Sequence, residues 1–155
     1  KEVVLDPDRD LAMVEAPIPL VPEELAEEIS QMPWSGAGEK ALDCYKKALN
    51  LNMADLELWF KLGLLLFDGS YYQEAFAAFE KVIELKPVGT THFATLVWMG
   101  HLKDLEGNRE EALKYYNEAL KHENGNAMRH DHWGIQINKA WVEERLKTPF
   151  KWGKK

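Results

Sequence analysis

The stretch Trp59-Phe60-Lys61-Leu62-Gly63-Leu64-Leu65-Leu66, followed by Ala75-Phe76-Ala77-Ala78-Phe79-Glu80-Lys81-Val82 and then Pro87, decides how this chain folds. Its apolar residues recur at helical spacing, and each of its two halves is long enough for a helix. Between them, Asp68-Gly69-Ser70 breaks the periodicity with residues that tolerate positive φ. Gly63 sits mid-helix, where glycine costs about 1 kcal/mol relative to alanine. That cost is tolerable where the missing side chain lets a second helix come close. Ala75 supplies the matching small residue on the second helix, and Phe79 fills the space beside it.

The same order of residues returns downstream. Leu96-Val97-Trp98-Met99-Gly100 is followed by the turn Glu106-Gly107-Asn108, by Ala112-x-x-x-Tyr116-x-x-Ala119, and closes at Asn124. A single glycine in a helix says little, but the same ordered set at two places is a specific signal. This doubled pattern resembles the tetratricopeptide repeat, a helix–turn–helix unit of ~34 residues. The resemblance implies an all-α fold: an α-α solenoid of about three helix pairs closed by a C-terminal capping helix. It also implies a non-catalytic protein-interaction module rather than an enzyme.

Extending the register outward divides the chain. Residues 1–21 form an extended leader or linker, and residues 22–147 form the repeat-like domain. Within the domain, residues 22–54 read as a degenerate first repeat. They carry Ala41-x-x-x-Tyr45-x-x-Ala48 but lack the Trp/Leu/Gly signature in the first helix, which starts at Pro22 and is broken near Pro33-Trp34. Residues 55–88 and 93–126 are the two full repeats, and residues 127–147 read as one long capping helix with an apolar stripe of Trp133, Ile137, Trp141 and Val142. Val88-Gly89-Thr90-Thr91-His92 lengthens the linker between the full repeats, so that Ala75 and Ala112 lie 37 residues apart. This predicts a longer loop, with Thr90 or Thr91 as the N-cap of the next helix. The tail, 148–155, is basic and aromatic, and Phe150 is expected to fold back onto the end of the array.

In arrays of this kind the first helices of each pair line a concave face. The resemblance therefore places Phe60, Lys61, Leu64, Phe67 and Asp68 of the first full repeat in a groove. Glu57 belongs with them; the second full repeat adds Ala94, Val97, Trp98, His101, Asp104 and Leu105, and the capping helix adds Met128, Asp131, His132, Ile135 and Lys139. A concave aromatic patch rimmed by charge suits a peptide or a neighbouring domain. The competing expectation is that the chain's own apolar N-terminal segment, or a partial third helix layer, covers that patch. The carboxylate clamp of chaperone-binding relatives is not matched, because its positions fall here on Ala26, Ser30, Lys61, Ala94 and Trp98, of which one is basic and none is an amide.

Composition limits the partners. The balance of 26 acidic against 19 basic residues gives a net charge of −7, which argues against nucleic acid or an anionic membrane surface. No run of apolar residues approaches the ~20 of a membrane span. The single Cys44 excludes an internal disulfide, leaves the compartment open, and reads as a packing residue rather than a nucleophile. His130 and His132 are two apart, a spacing that points helical side chains in different directions and makes them poor joint metal ligands. No phosphate loop, zinc motif or serine elbow occurs, so no cofactor is implied. The partner is a protein, a peptide or another domain of a parent chain, with homodimerisation through the imperfect ends as an alternative. Residues 1–12, with Val3-Val4-Leu5 and Asp6-Pro7, weakly resemble the end of the last β-domain of bacterial zinc aminopeptidases, which would make the array an accessory domain of a larger enzyme.

Overall fold

A computed structural model describes residues 22–122, 128–130 (backbone) and 133–153. The leader 1–21, with its aminopeptidase-like start, lies outside the described residues, as do Asp131, His132 and the last two lysines. Helices dominate: α1 (Pro22–Ser30), α2 (Gly38–Asn50), α3 (Leu56–Asp68), α4 (Tyr72–Glu84), α5 (Gly89–Glu106) and α6 (Arg109–Lys121) follow one another. A short antiparallel ribbon, β1 (Met128–His130) and β2 (Ile135–Ile137), and a last helix, α7 (Lys139–Lys147), complete the order.

The helices form pairs, α1 with α2, α3 with α4 and α5 with α6, and each pair packs on the next. The fold is thus the all-α solenoid that the doubled pattern implies. Asp55 starts α3 by accepting hydrogen bonds from the backbone N–H groups of Glu57 and Leu58 at 3.0 and 3.3 Å. Asn108 does the same for α6, and Gly107 ends α5 in the left-handed conformation at φ 89°.

The mid-helix glycines have a direct geometric reason. A Cβ placed on Gly63 would lie 2.5 Å from Cε1 of Phe79, and a Cβ on Gly100 would overlap the ring of Tyr116. Both rings are fully buried and cannot swing away. Helix α3 accordingly lies against α4, and α5 against α6, at distances only glycine permits.

Two expectations about local structure are corrected. The extra residues between the full repeats do not lengthen a loop; they lengthen α5, which begins at Gly89 and runs for 18 residues. Neither threonine caps it. Its N-cap is Val88, while Thr91 donates its hydroxyl to the Glu57 carboxylate at 3.3 Å and Thr95 bonds back to the Thr91 carbonyl. The capping helix drawn over 127–147 is also shorter: helix begins only at Lys139, and residues 135–137 form a strand. The apolar residues there, Ile135 and Ile137, alternate with exposed Gln136, a period of two rather than 3.6. Gly134 at φ 73° turns the chain into β2, and extended Asn138 accepts the N–H of Trp141 at 2.9 Å to open α7.

Gly63→Ala weighs a helix-propensity gain of about 1 kcal/mol against overpacking of about 1–3 kcal/mol on an immobile ring. Overpacking is expected to prevail, lowering the denaturant midpoint at unchanged m-value. In the double variant Gly63→Ala/Phe79→Leu the loss should be partly recovered, and a strictly additive result would contradict the packing account.

Candidate functional site

The first helices bring together the residues that the repeat register assigns to the concave face. Phe60, Leu64, Phe67, Asp68, Ala94, Val97, Trp98, His101 and Ile135 are buried, Lys61, Leu105 and, taken as a whole residue, Asp104 keep partial exposure, and Glu57 and Lys139 are exposed. Around Phe67, Trp98 and His101 the cover is the chain's own C-terminal segment. Trp133, Phe150 and Trp152 place their ring centroids 5.2, 6.2 and 4.9 Å from that of Phe67. Phe150 stacks flat on His101 at 3.9 Å and stands edge-on to Trp98 at 6.0 Å. Fold-back of Phe150, expected from the tail sequence, is present, and Trp152 packs beside it. The N-terminal segment expected there, residues 1–21, lies outside the described residues.

Two buried carboxylates organise this cover. Asp104, whose side chain is 1% exposed, accepts the Tyr116 hydroxyl at 2.7 Å, the Phe150 backbone N–H at 2.9 Å and the Arg109 guanidinium at 3.0 Å. Arg109 in turn donates to the Arg145 and Leu146 carbonyls at 2.6 and 3.1 Å, satisfying the open C-terminal end of α7. Asp68 accepts the Gly36 N–H at 2.9 Å and the Trp133 indole N–H at 3.3 Å, joining the connection after α1 to the segment before β2. A carboxylate with several donors is stable in a dry site, while one stripped of them is not.

His101 is a second fixed point. The Trp141 indole N–H donates to its Nε2 at 2.9 Å, so the neutral ring carries its proton on Nδ1, which finds no partner among the described residues. Trp98 and Phe150 enclose the ring, Tyr116 faces it from α6, and Arg145 acts on it from α7. Burial first, and the Arg145 charge second, hold its pKa well below the ordinary 6.5. At Lys61, burial likewise lowers the ammonium pKa, and the group donates to the Ser30 carbonyl at 2.9 Å and lies over the Trp34 ring at 4.8 Å.

The other side of the array, built from the second helices, is open. A concavity of about 640 Å³ is lined by Tyr45 and Leu49 of α2, Ala77, Glu80, Lys81, Ile83 and Glu84 of α4, Leu96 and Met99 of α5, and Tyr115 of α6. Leu49 is 43% exposed there, one of two large apolar side chains so exposed among the described residues. Sequence reading did not single out this face, since its apolar residues belong to four different helices.

The family model for the tetratricopeptide repeat matches residues 56–88 and 93–123. These two segments are tetratricopeptide repeats. Repeats of this kind generally mediate protein–protein interaction and are typically non-catalytic scaffolds. No curated protein and no solved structure matches the chain. Among the described residues, no three His, Cys, Asp or Glu side chains are grouped to hold a metal ion, and no helix is long and apolar enough to cross a membrane. Cys44 is fully buried on α2, and burial, then the Glu28 charge, push its thiol up to about 12, far from a nucleophile's range.

Two outcomes follow from this geometry. Asp104→Ala strands the Tyr116 hydroxyl and the Phe150 N–H and is expected to cost about 3 kcal/mol in equilibrium unfolding. Because the unfolded His101 binds a proton near pH 6.5 and the folded one refuses it, its contribution is complete above pH 6.5 and is lost as pH falls below that value. His101→Gln keeps an acceptor for Trp141 without ionising, so the melting temperature of the native chain should fall more steeply than the variant's between about pH 6.5 and 5.

Proposed function

We propose that this repeat array is a non-catalytic protein-interaction module whose concave face holds a segment in cis, its own residues 133–152, and whose partner docks on the outer face formed by the second helices. The observation that carries this reading is the seating of Phe150 and Trp152 against Phe67, Trp98 and His101, the positions at which the family register predicts a peptide. Burial of Ile135, Ile137, Val142 and Phe150, at ~1.5–3 kcal/mol each, amounts to something on the order of 10 kcal/mol of gross stabilisation. A free peptide of micromolar affinity supplies about 8 kcal/mol net of its association entropy. The tethered segment pays little of that entropy and acts at an effective concentration in the millimolar range. Displacement from outside is therefore unfavourable unless the ligand makes contacts the segment does not.

The acidic balance of the chain supports a protein partner rather than nucleic acid. Self-association is a distinct reading that light scattering at rising concentration separates from binding of a different protein.

Native-state hydrogen exchange tests closure of the concave face. The Phe150 amide, bonded to Asp104, is expected to exchange only through openings close in free energy to global unfolding, like the core amides of α3 and α5. Exchange through a local opening several kcal/mol cheaper would instead make the tail a lid and return the concave face to use as a peptide groove.

A further inference from the structure

With the tail seated on the concave face, an open concavity among α2, α4 and α6 remains on the other side, and its chemistry is specific. Its floor is apolar, made by Leu96 and Met99, and its walls carry the half-buried rings of Tyr45 and Tyr115 and the exposed Leu49. Its rim is acidic. Glu80 is exposed and has no ion-pair partner among the described residues, whereas Glu84 is paired with Lys81 at 3.2 Å and Glu111 with Lys114 at 3.4 Å. The field of Glu80 reaches both tyrosines: burial first, then nearby glutamates including Glu80, raises the pKa of Tyr45 and of Tyr115.

We infer that this groove is a docking site for an amphipathic helix of a partner protein, one that lays apolar side chains on Leu49, Leu96 and Met99 and brings a lysine or arginine to Glu80. The inference rests on the interaction-module reading above and adds the partner's chemistry. A helix fits because the lining runs from α2 across α4 to α6, two helix diameters or roughly 20 Å, which about 13 helical residues cover. An apolar groove between helices is the usual seat of such a ligand. Charge selects its sign. The chain's own residues 1–21 carry five acidic against two basic residues, so the rim repels that segment. A second copy, with its net charge of −7, meets the same repulsion, and a two-fold contact through the groove would set Glu80 against Glu80.

The test uses the intact chain and a synthetic amphipathic leucine/lysine peptide of about 18 residues, long enough to be helical, with a leucine/glutamate peptide of the same pattern as control. In fluorescence anisotropy the lysine peptide should bind, weaken with added salt, and lose about tenfold in affinity, or ~1.4 kcal/mol, on Glu80→Lys. Glu143→Lys, an exposed charge on α7, should leave binding unchanged. Amide shifts should map to Tyr45, Leu49 and Tyr115. The inference is overturned if the glutamate peptide binds as well, if Glu80→Lys and Glu143→Lys weaken binding equally, or if neither peptide binds. It is overturned also if light scattering finds a dimer that Glu80→Lys disperses, because the occupant is then a second copy. Shifts confined to Phe67, Trp98 and Trp152 would instead sink the closed concave face, which separates failure of that reading from failure of this one.

Discussion

One buried carboxylate ties the C-terminal segment of this protein to its repeats. Asp104 lies at the end of α5 and takes donors from α6, through Tyr116 and Arg109, and from the tail, through the Phe150 backbone. Arg109 passes the connection on to the last carbonyls of α7. A carboxylate in a site this dry is tolerated only with its lone pairs occupied, so helix pair, capping helix and tail must assemble together or the charge is stranded. The aromatic cover over the concave face follows from that requirement, since bonding the Phe150 N–H sets its ring on His101.

The two full repeats differ where this arrangement requires it. Position for position, 37 residues apart, Phe67 and Phe79 of the first correspond to Asp104 and Tyr116 of the second. In the first repeat the pair is apolar and Phe67 serves as the floor for Trp133 and Trp152. In the second, the tyrosine brings a hydroxyl into the core and the aspartate accepts it. The glycines that let both rings in, Gly63 and Gly100, are the same in each. One backbone plan thus carries an apolar platform at one repeat and a polar anchor at the next, and the C-terminal segment uses both.

Much of this was legible from residue order. The helix pairs, their turns and the small-residue contacts follow from spacing and side-chain size, and the aromatic tail pointed to fold-back of Phe150 onto the end of the array, though not to its seat on His101. The concave positions could also be numbered, and burial of Phe67, Trp98 and His101 makes them core. Their occupant could not be read, because coverage of a face depends on where a distant segment lands, 35 or more residues further on from Trp98. The stretch before α7 shows the same limit. Trp133, Ile137, Trp141 and Val142 fit a helical stripe as well as a strand followed by a helix, and the ambiguity is broken by Gly134 and by packing of Ile135 and Ile137 on the array. The tyrosine at 116 was a missed signal: a hydroxyl where the preceding repeat has phenylalanine calls for an acceptor on the facing helix.

By itself, then, the sequence determined the helical periodicity, the repeat register and the glycine–aromatic contacts inside each pair, all of them local or nearest-neighbour properties. Tertiary structure alone decided that the concave face is filled from within, that Asp104 and Asp68 are internal anchors, and that Tyr45, Leu49 and Tyr115 meet around one open groove. The physical reason is range. Interactions within a repeat are set by residues less than 40 apart in a fixed geometry, whereas burial of a face is settled by whichever apolar segment gains most from covering it.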